Sequence, residues 1–168
     1  MEKINLSGIW QFRLDPDNTG SDEHWERTPF SDKIQIPGIL QAQGFGRDVS
    51  IHTDWVSALH DPLWYLRDEY HFPDPENKSV DPVHIPFLSQ PPKHYTGKAW
   101  YRREFQINKS QDGLIGNLFL ECTKWRTAVW LDGKKAGEDI SLCTPHTIPL
   151  GVLKEGSHTL TVCIDNGF

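Results

Sequence analysis

Apolar and polar residues alternate in several short stretches of the chain, as they do in strands that have one buried face. This pattern predicts strands at residues 8–14, 99–107, 117–122, 127–131 and 160–164. Asp132-Gly133 suits a type I′ turn and predicts a hairpin that continues into residues 134–136. Residues 152–154 are interpreted as a single helical turn. Many short strands joined by turns are typical of an all-β sandwich or jelly roll.

The stretch between Asp48 and Gly97 differs from the rest, because it holds seven of the twelve prolines and several aromatic residues. Proline cannot donate a hydrogen bond to a sheet, so regular central strands are not expected here. The aromatic content argues against a disordered linker, and an ordered excursion packed on the sandwich is favoured. We therefore expect one domain over residues 1–168, with a long loop insertion over 37–97.

Composition excludes some classes of function. The net charge is −6 and no basic stripe occurs, so nucleic acid is not an expected partner. No apolar run approaches the roughly 20 residues of a membrane span. The first six residues lack the apolar stretch of a signal peptide. The compartment therefore stays open, and a periplasmic or secreted parent protein is one of the alternatives. The three cysteines and eight histidines show no metal-ligand spacing, so we expect no metal or cofactor and interpret the cysteines as buried or half-buried thiols.

Four segments share motifs with a known family. They are residues 6–12 (LSGIWQF), 36–38 (IPG) with Gly44-Phe45, 95–105 (YTGKAWYRREF), and the stretch from 129–133 (VWLDG) to 160–166 (LTVCIDN). In this order they resemble the N-terminal sugar-binding domain of glycoside hydrolase family 2, which includes β-galactosidases and β-glucuronidases. The resemblance implies a galactose-binding-like jelly roll. It also implies a retaining, β-galactosidase-like glycoside hydrolase as parent, with both catalytic glutamates on a (β/α)8 barrel that follows, so that this chain is not itself catalytic.

The resemblance also suggests candidate sugar-binding residues. In β-galactosidases an Asn two residues after the loop proline contacts substrate, and here that position is Ile39. Gln41 and Gln43 could hydrogen-bond a sugar hydroxyl instead. The aromatic candidates for sugar stacking are Trp55, Trp64 and Tyr65, for which anchoring of the excursion is the competing role. We hypothesise that residues 38–48 and 48–94 face the barrel.

Other aromatic and acidic residues have more ordinary interpretations. Tryptophans 10, 100, 125 and 130 lie on or beside predicted strands and are expected to pack in the core. Asp15 is grouped with the acidic residues of turns, which are expected on the solvated surface.

Three functions remain open at this point: an accessory domain of a glycosidase, an independent carbohydrate-binding module, or a purely structural interaction domain. The partners expected are carbohydrate and the barrel of the parent chain. The chain ends shortly after the VCIDN motif, where the family has a further strand, so an open sheet edge and a homodimer through that edge are also expected.

Overall fold

The computed structural model describes residues 2–49, 53, 66, 68 and 93–167. In these residues the chain forms ten strands: β1 (Gly8–Asp15), β2 (Asp32–Ile36), β3 (Arg47–Asp48), β4 (Lys93–His94), β5 (Lys98–Ile107), β6 (Ile115–Leu120), β7 (Arg126–Leu131), β8 (Lys134–Ile140), β9 (His146–Val152) and β10 (Gly156–Asp165). The helical elements described are short 3-10 turns at Trp25–Arg27, Gln41–Gln43 and Lys109–Gln111. The predicted all-β class is confirmed.

Six strands form one antiparallel sheet in the order β2-β1-β5-β10-β7-β8. The two longest strands, β5 and β10, lie at its centre and pair along their whole length, from Gly156 opposite Ile107 to Asp165 opposite Lys98. Strands β6 and β9 form a separate antiparallel pair. Strands β3 and β4 form a second, shorter pair.

The main core lies between the large sheet and the β6–β9 pair. It contains residues from both layers, including Phe12, Val129 and Leu160 from the large sheet and Leu118 and Ile148 from the pair. All five are at most 5% exposed. The alternation that predicted these strands therefore marks the faces that meet in a sandwich, and the sandwich prediction is confirmed. The jelly-roll connectivity stays a prediction.

The opposite face of the large sheet is covered by the segment between β1 and β2. Trp25 and Phe30 from this segment pack with Trp100 and Cys163 of the two central strands. The Trp100 ring stacks on Trp130 of β7, with centroids 5.1 Å apart. Both faces of the central strands are therefore buried, which explains why β10 carries four consecutive buried residues.

The predicted strands correspond to β1, β5, β6, β7 and β10, with ends that differ by a few residues. The predicted hairpin is confirmed: Asp132 and Gly133 have φ of 51° and 73°, as a type I′ turn requires, and β8 continues to Ile140. Strands β2 and β9 were not predicted. The predicted helical turn is wrong, because Val152 ends β9 and the next two residues have no regular structure.

Candidate functional site

The loop after β2 holds two of the predicted sugar ligands, Gln41 and Gln43. The Gln43 side chain is engaged within the chain: its Oε1 accepts from Gln35 N at 2.8 Å and its Nε2 donates to Gln35 O at 3.0 Å. Because β2 is an outer strand of the sheet, this amide satisfies backbone groups that would otherwise face solvent. A Cβ on Gly38 would lie 2.6 Å from Gln43 Nε2, so glycine permits the close approach.

Gln41 is placed differently. Its side chain is half-buried and has no hydrogen-bonding partner among the described residues. Ile39, two residues before it, is 67% exposed. The loop is held against the core by Phe45, whose ring centroid lies 4.5 Å from that of Phe12. The loop is therefore anchored at Gln43 and Phe45, and Gln41 is the described one of the predicted ligands whose amide is not engaged by another described residue.

The other three predicted ligands, Trp55, Trp64 and Tyr65, lie outside the described residues, as does most of the predicted excursion. The two ends of the excursion are described. Arg47 and Asp48 of β3 pair with His94 and Lys93 of β4, and Lys93 Nζ lies 2.6 Å from Asp48 Oδ1. The two described ends of the excursion therefore lie side by side in the β3–β4 pair.

A surface cleft of about 430 Å³ lies at the end of the large sheet where β1 and β10 finish and β5 and β7 begin. It was not anticipated from the sequence. Its wall is more polar than apolar and is formed by Asp15, Pro16, Asn18, Gly97, Lys98, Trp125, Arg126, Asp165 and Gly167.

Asp15 is one of the residues that line this cleft and is 2% exposed. Its carboxylate accepts three hydrogen bonds, from Thr19 N at 2.8 Å, Gly20 N at 3.1 Å and Trp100 Nε1 at 3.0 Å. The expectation that Asp15 is a solvated turn residue is wrong, because these donors compensate the loss of hydration. The carboxylate fastens the loop after β1 to the centre of the sheet.

Tyr95 and Asn166 frame the cleft beside Gly97. The Tyr95 hydroxyl donates to Lys98 O and accepts from Asp15 N at 3.2 Å. Burial is the main cause that raises the pKa of Tyr95 to about 12, so the hydroxyl stays a donor at neutral pH. Asn166 Oδ1 accepts from Gly97 N at 2.7 Å, and Asn166 Nδ2 donates to Tyr95 O at 3.1 Å. The YTG and IDN motifs are thus joined by direct hydrogen bonds.

Two cations and a second carboxylate complete the wall. The side chains of Lys98 and Arg126 make no hydrogen bond and no ion pair with the residues that the structure describes. Asp165 Oδ1 accepts from Gly167 N at 2.9 Å. With Asp15, the cleft holds two cations and two carboxylates, so its formal charge is zero.

Trp125 joins the cleft to a buried polar network. It was expected in the core, but it is only half-buried and lines the cleft. Its carbonyl accepts from Ser141 N at 3.2 Å. His146, which is fully buried, lies with Nε2 3.1 Å from Ser141 O and Nδ1 2.7 Å from Thr127 Oγ1. Because a carbonyl can only accept, the His146 ring donates from Nε2 to Ser141 O.

The prediction of buried or half-buried cysteines holds for one of the three. Cys163 is buried, and burial is the main cause that raises the pKa of its thiol to about 12. Cys122 and Cys143 are exposed, contrary to the expectation of buried or half-buried thiols, because both lie in loops outside the sandwich core.

Metal-ligating clusters and membrane-spanning helices are both absent from the described residues. No group of three or more His, Cys, Asp or Glu side chains in the described part of the chain could hold a metal ion. No helix among residues 2–49, 53, 66, 68 and 93–167 is long and apolar enough to cross a membrane.

The sequence is similar to that of a bacterial β-glucuronidase. Over 129 residues, or 77% of this chain, it is 52% identical to the β-glucuronidase of Paenibacillus borealis. The aligned part is 15% of that relative, so the chain spans only a small share of its length.

Solved structures resemble the fold. The structure of Ruminococcus gnavus β-glucuronidase matches 96% of this chain and 21% of its own chain, with a TM-score of 0.56 and 17% identity. The same enzyme in complex with uronic isofagomine matches with a TM-score of 0.60 and 16% identity. At these identities the likeness shows the fold alone.

A family model described as the β-galactosidase second all-β domain matches residues 66–167. This match and the glucuronidase relative agree with the resemblance to glycoside hydrolase family 2 that the sequence motifs carry. The more specific assignment, to the N-terminal sugar-binding domain, stays a prediction. Because the match covers more than half of the chain, this protein belongs to the family of the β-galactosidase second all-β domain.

Proposed function

We propose that this chain is a non-catalytic accessory domain of a glycoside hydrolase family 2 enzyme, and that it helps to shape the active site of a following (β/α)8 barrel. The observation that carries the proposal is the family match over residues 66–167. The proposal includes one domain over residues 1–168 with an insertion over 37–97, in the position of the N-terminal sugar-binding domain. An O-glycosyl hydrolase acting on β-glucuronides is the proposed parent, since the relative from Paenibacillus borealis is a β-glucuronidase.

The buried carboxylates support a non-catalytic role. Retaining glycoside hydrolysis needs two carboxyl groups about 5–5.5 Å apart, one as nucleophile and one as acid and base. Among the described residues the buried carboxylates are Asp15 and Glu26. Asp15 is fully engaged by its three donors, and Glu26 Oε1 lies 3.2 Å from His24 Nδ1 and 3.4 Å from Arg27 Nε. Both carboxylates therefore stabilise loops.

The loop after β2 is the part of the described structure that we assign to the barrel-facing side. It combines an exposed apolar residue, Ile39, with the available amide of Gln41. An interface with a catalytic domain needs both kinds of group, because apolar surface provides burial and an amide can reach a sugar hydroxyl. Gln43 contributes through its bonds to Gln35, which hold the loop in place.

Alanine variants in the full-length parent test this assignment. Gln41→Ala should raise KM for a β-glucuronide severalfold and leave the melting temperature unchanged, because the amide has no hydrogen-bonding partner among the described residues. Gln43→Ala is the matched control, since it should lower the melting temperature through loss of the bonds to Gln35. Trp55→Ala and Trp64→Ala extend the test to the excursion. If Gln41, Trp55 and Trp64 all leave KM and melting temperature unchanged, the barrel-facing assignment is wrong.

The homodimer is also proposed, through an outer strand of the large sheet. The outer strands are β2 and β8. Strand β8 presents charged side chains, including Lys135, whose Nζ lies 2.7 Å from Glu138 Oε2, and such charges oppose edge pairing. On strand β2 the Gln43 side chain bonds the backbone of Gln35 only, so β2 is the outer strand that is more accessible to a second chain. A strictly monomeric species by light scattering would contradict the dimer.

A further inference from the structure

Two of the three free cysteines lie at the same end of the sandwich. Cys122 is in the loop over residues 121–125, which leads from β6 to β7, and Cys143 is in the loop over residues 141–145, which leads from β8 to β9. Each loop connects the large sheet with the β6–β9 pair. Both cysteines are exposed, so a reagent in solution can reach either thiol.

The strand register sets these two loops side by side. Strands β6 and β9 pair at one end of the loops, where Leu120 lies opposite His146. Strands β7 and β8 pair at the other end, where Arg126 lies opposite Ile140. Both loops have five residues and run in opposite directions between these two pairs. The two exposed thiols therefore belong to neighbouring segments of the folded chain.

His146 ties the two loops together between those ends. Its Nδ1 lies 3.0 Å from Oγ1 of Thr123, which is the residue after Cys122. Its Nε2 donates to the carbonyl of Ser141 at 3.1 Å, and Ser141 Oγ accepts from Cys143 N at 3.3 Å. One fully buried imidazole therefore holds a near neighbour of each cysteine in place.

We propose that Cys122 and Cys143 form a redox-sensitive pair, which a low-molecular-weight disulfide converts into an internal disulfide. Neighbouring antiparallel segments have Cα spacings of the size that a disulfide needs, about 4.4–6.8 Å. The thiolate of one cysteine attacks the small disulfide, so that a mixed disulfide forms and one small thiol leaves. The thiolate of the other cysteine then attacks the protein sulfur of the mixed disulfide, and the second small thiol leaves. Two protein thiols are thereby oxidised, and one small disulfide is reduced to two thiols that carry both protons.

The internal disulfide would stabilise the fold. It encloses the whole β7–β8 hairpin, because this hairpin is the part of the chain between the two loops. Closing such a loop lowers the entropy of the unfolded chain. The oxidised chain should therefore melt at least about 3 °C higher than the reduced chain. The pair makes the stability of this domain depend on the redox state of its compartment.

Incubation of the reduced 168-residue chain with glutathione disulfide, followed by intact mass spectrometry and non-reducing peptide mapping, tests the pair. The expected product is a monomer whose mass is lower by two hydrogen atoms, with Cys122 linked to Cys143 and Cys163 unmodified. Cys122→Ser and Cys143→Ser should each stop at a stable glutathione adduct, because the second thiol is missing. The test needs no parent enzyme, so its result is independent of the accessory role proposed above.

A matched variant keeps two exposed thiols but separates them. Ser110 is exposed and precedes β6, whereas Cys122 follows β6, so the whole strand lies between them. Cys143→Ser combined with Ser110→Cys should therefore accumulate glutathione adducts and form no internal disulfide.

Four results would overturn the inference. One is a wild-type chain that carries glutathione on both exposed cysteines and no internal disulfide. The second is a disulfide between two chains in place of the internal one. The third is an internal disulfide that forms as readily in the variant with Ser110→Cys. The fourth is a melting temperature that oxidation leaves unchanged.

Discussion

Trp100 Nε1 donates a hydrogen bond of 3.0 Å to Asp15 Oδ2, between two residues that lie 85 positions apart and are both almost completely buried. The bond joins the end of β1 to β5 and leaves no room for a side chain at Gly20, where a Cβ would lie 2.6 Å from Trp100 Nε1. The same carboxylate closes the turn that carries the chain onto the outer face of the sheet. This contact therefore helps to hold the segment between β1 and β2 on the outer face of the sheet. It also fixes the position of Asp15 in the lining of the cleft.

Replacement of Asp15 by alanine should lower the free energy of unfolding by about 3 kcal/mol, because three donors lose their acceptor and buried unpaired donors cost about 1–3 kcal/mol each. Urea denaturation measures the change. Asp17→Ala is the control, since Asp17 is exposed, and should change stability by less than about 0.5 kcal/mol. Equal stability of the two variants would show that the carboxylate is not a fastening point.

The network of His146 should also be a large contributor to stability. His146→Ala should cost roughly 2–4 kcal/mol, because it opens a cavity and removes the bonds that the imidazole makes with the Thr127 and Thr123 hydroxyls and with Ser141 O. Thr127→Val keeps the shape and should cost about 1 kcal/mol. Thr147, the exposed neighbour of His146 in β9, supplies the control variant Thr147→Ala. A loss as large for Thr147 as for His146, measured by thermal unfolding, would contradict this account.

His158 should make stability depend on pH. Its Nε2 lies 2.8 Å from Lys154 O and its Nδ1 2.7 Å from Asp132 Oδ2, and the Lys154 carbonyl is the main cause that raises its pKa above the ordinary value of about 6.5. A raised folded pKa means that the protonated form is favoured by folding. The contribution is complete below the unfolded pKa and is lost as pH rises through the folded pKa.

Unfolding measurements between about pH 5 and 9 test this sign. The difference in unfolding free energy between wild type and His158→Gln should be greatest at the acid end of the range and decrease as pH rises. A difference that grows with pH would contradict the assignment of the two acceptors.

Thiol chemistry should separate the three cysteines. Ellman's reagent should react with Cys122 and Cys143 in the native chain, because both are exposed, and with Cys163 only after unfolding. The raised pKa of Cys163 further reduces its thiolate fraction. Reaction of three thiols at one rate in the native chain would mean that the outer face of β10 is open.

The sequence predicted the strands and turns that depend on residues close together in the chain. The alternation in β1 and β5 and the Asp132-Gly133 turn are present in the structure as the sequence indicated. Strand β9 was missed because Pro149 lies inside it. Among the described residues this strand pairs with β6 alone, so the missing donor is tolerated. Strand β2 was missed because it is short and ends at the loop proline.

The candidate site was harder to predict, because its residues come together only in the folded sheet. Asp15 was assigned to the surface from its place in a turn, and the partner that buries it is distant in sequence. Trp125 has the sequence context of a core residue, yet the turn before β7 places it at the cleft. No spacing in the sequence joins Lys98, Arg126 and Asp165; the antiparallel register of β5, β10 and β7 does.

The accessory role is tested most directly by assaying the purified 168-residue chain for release of 4-methylumbelliferone from its β-D-glucuronide and β-D-galactoside, beside the full-length parent. The account predicts turnover by the parent. For the chain alone it predicts release of 4-methylumbelliferone no faster than in buffer without protein. Hydrolysis by the chain above that rate, abolished by replacement of one of its own carboxylates, would contradict the account and make this domain an enzyme.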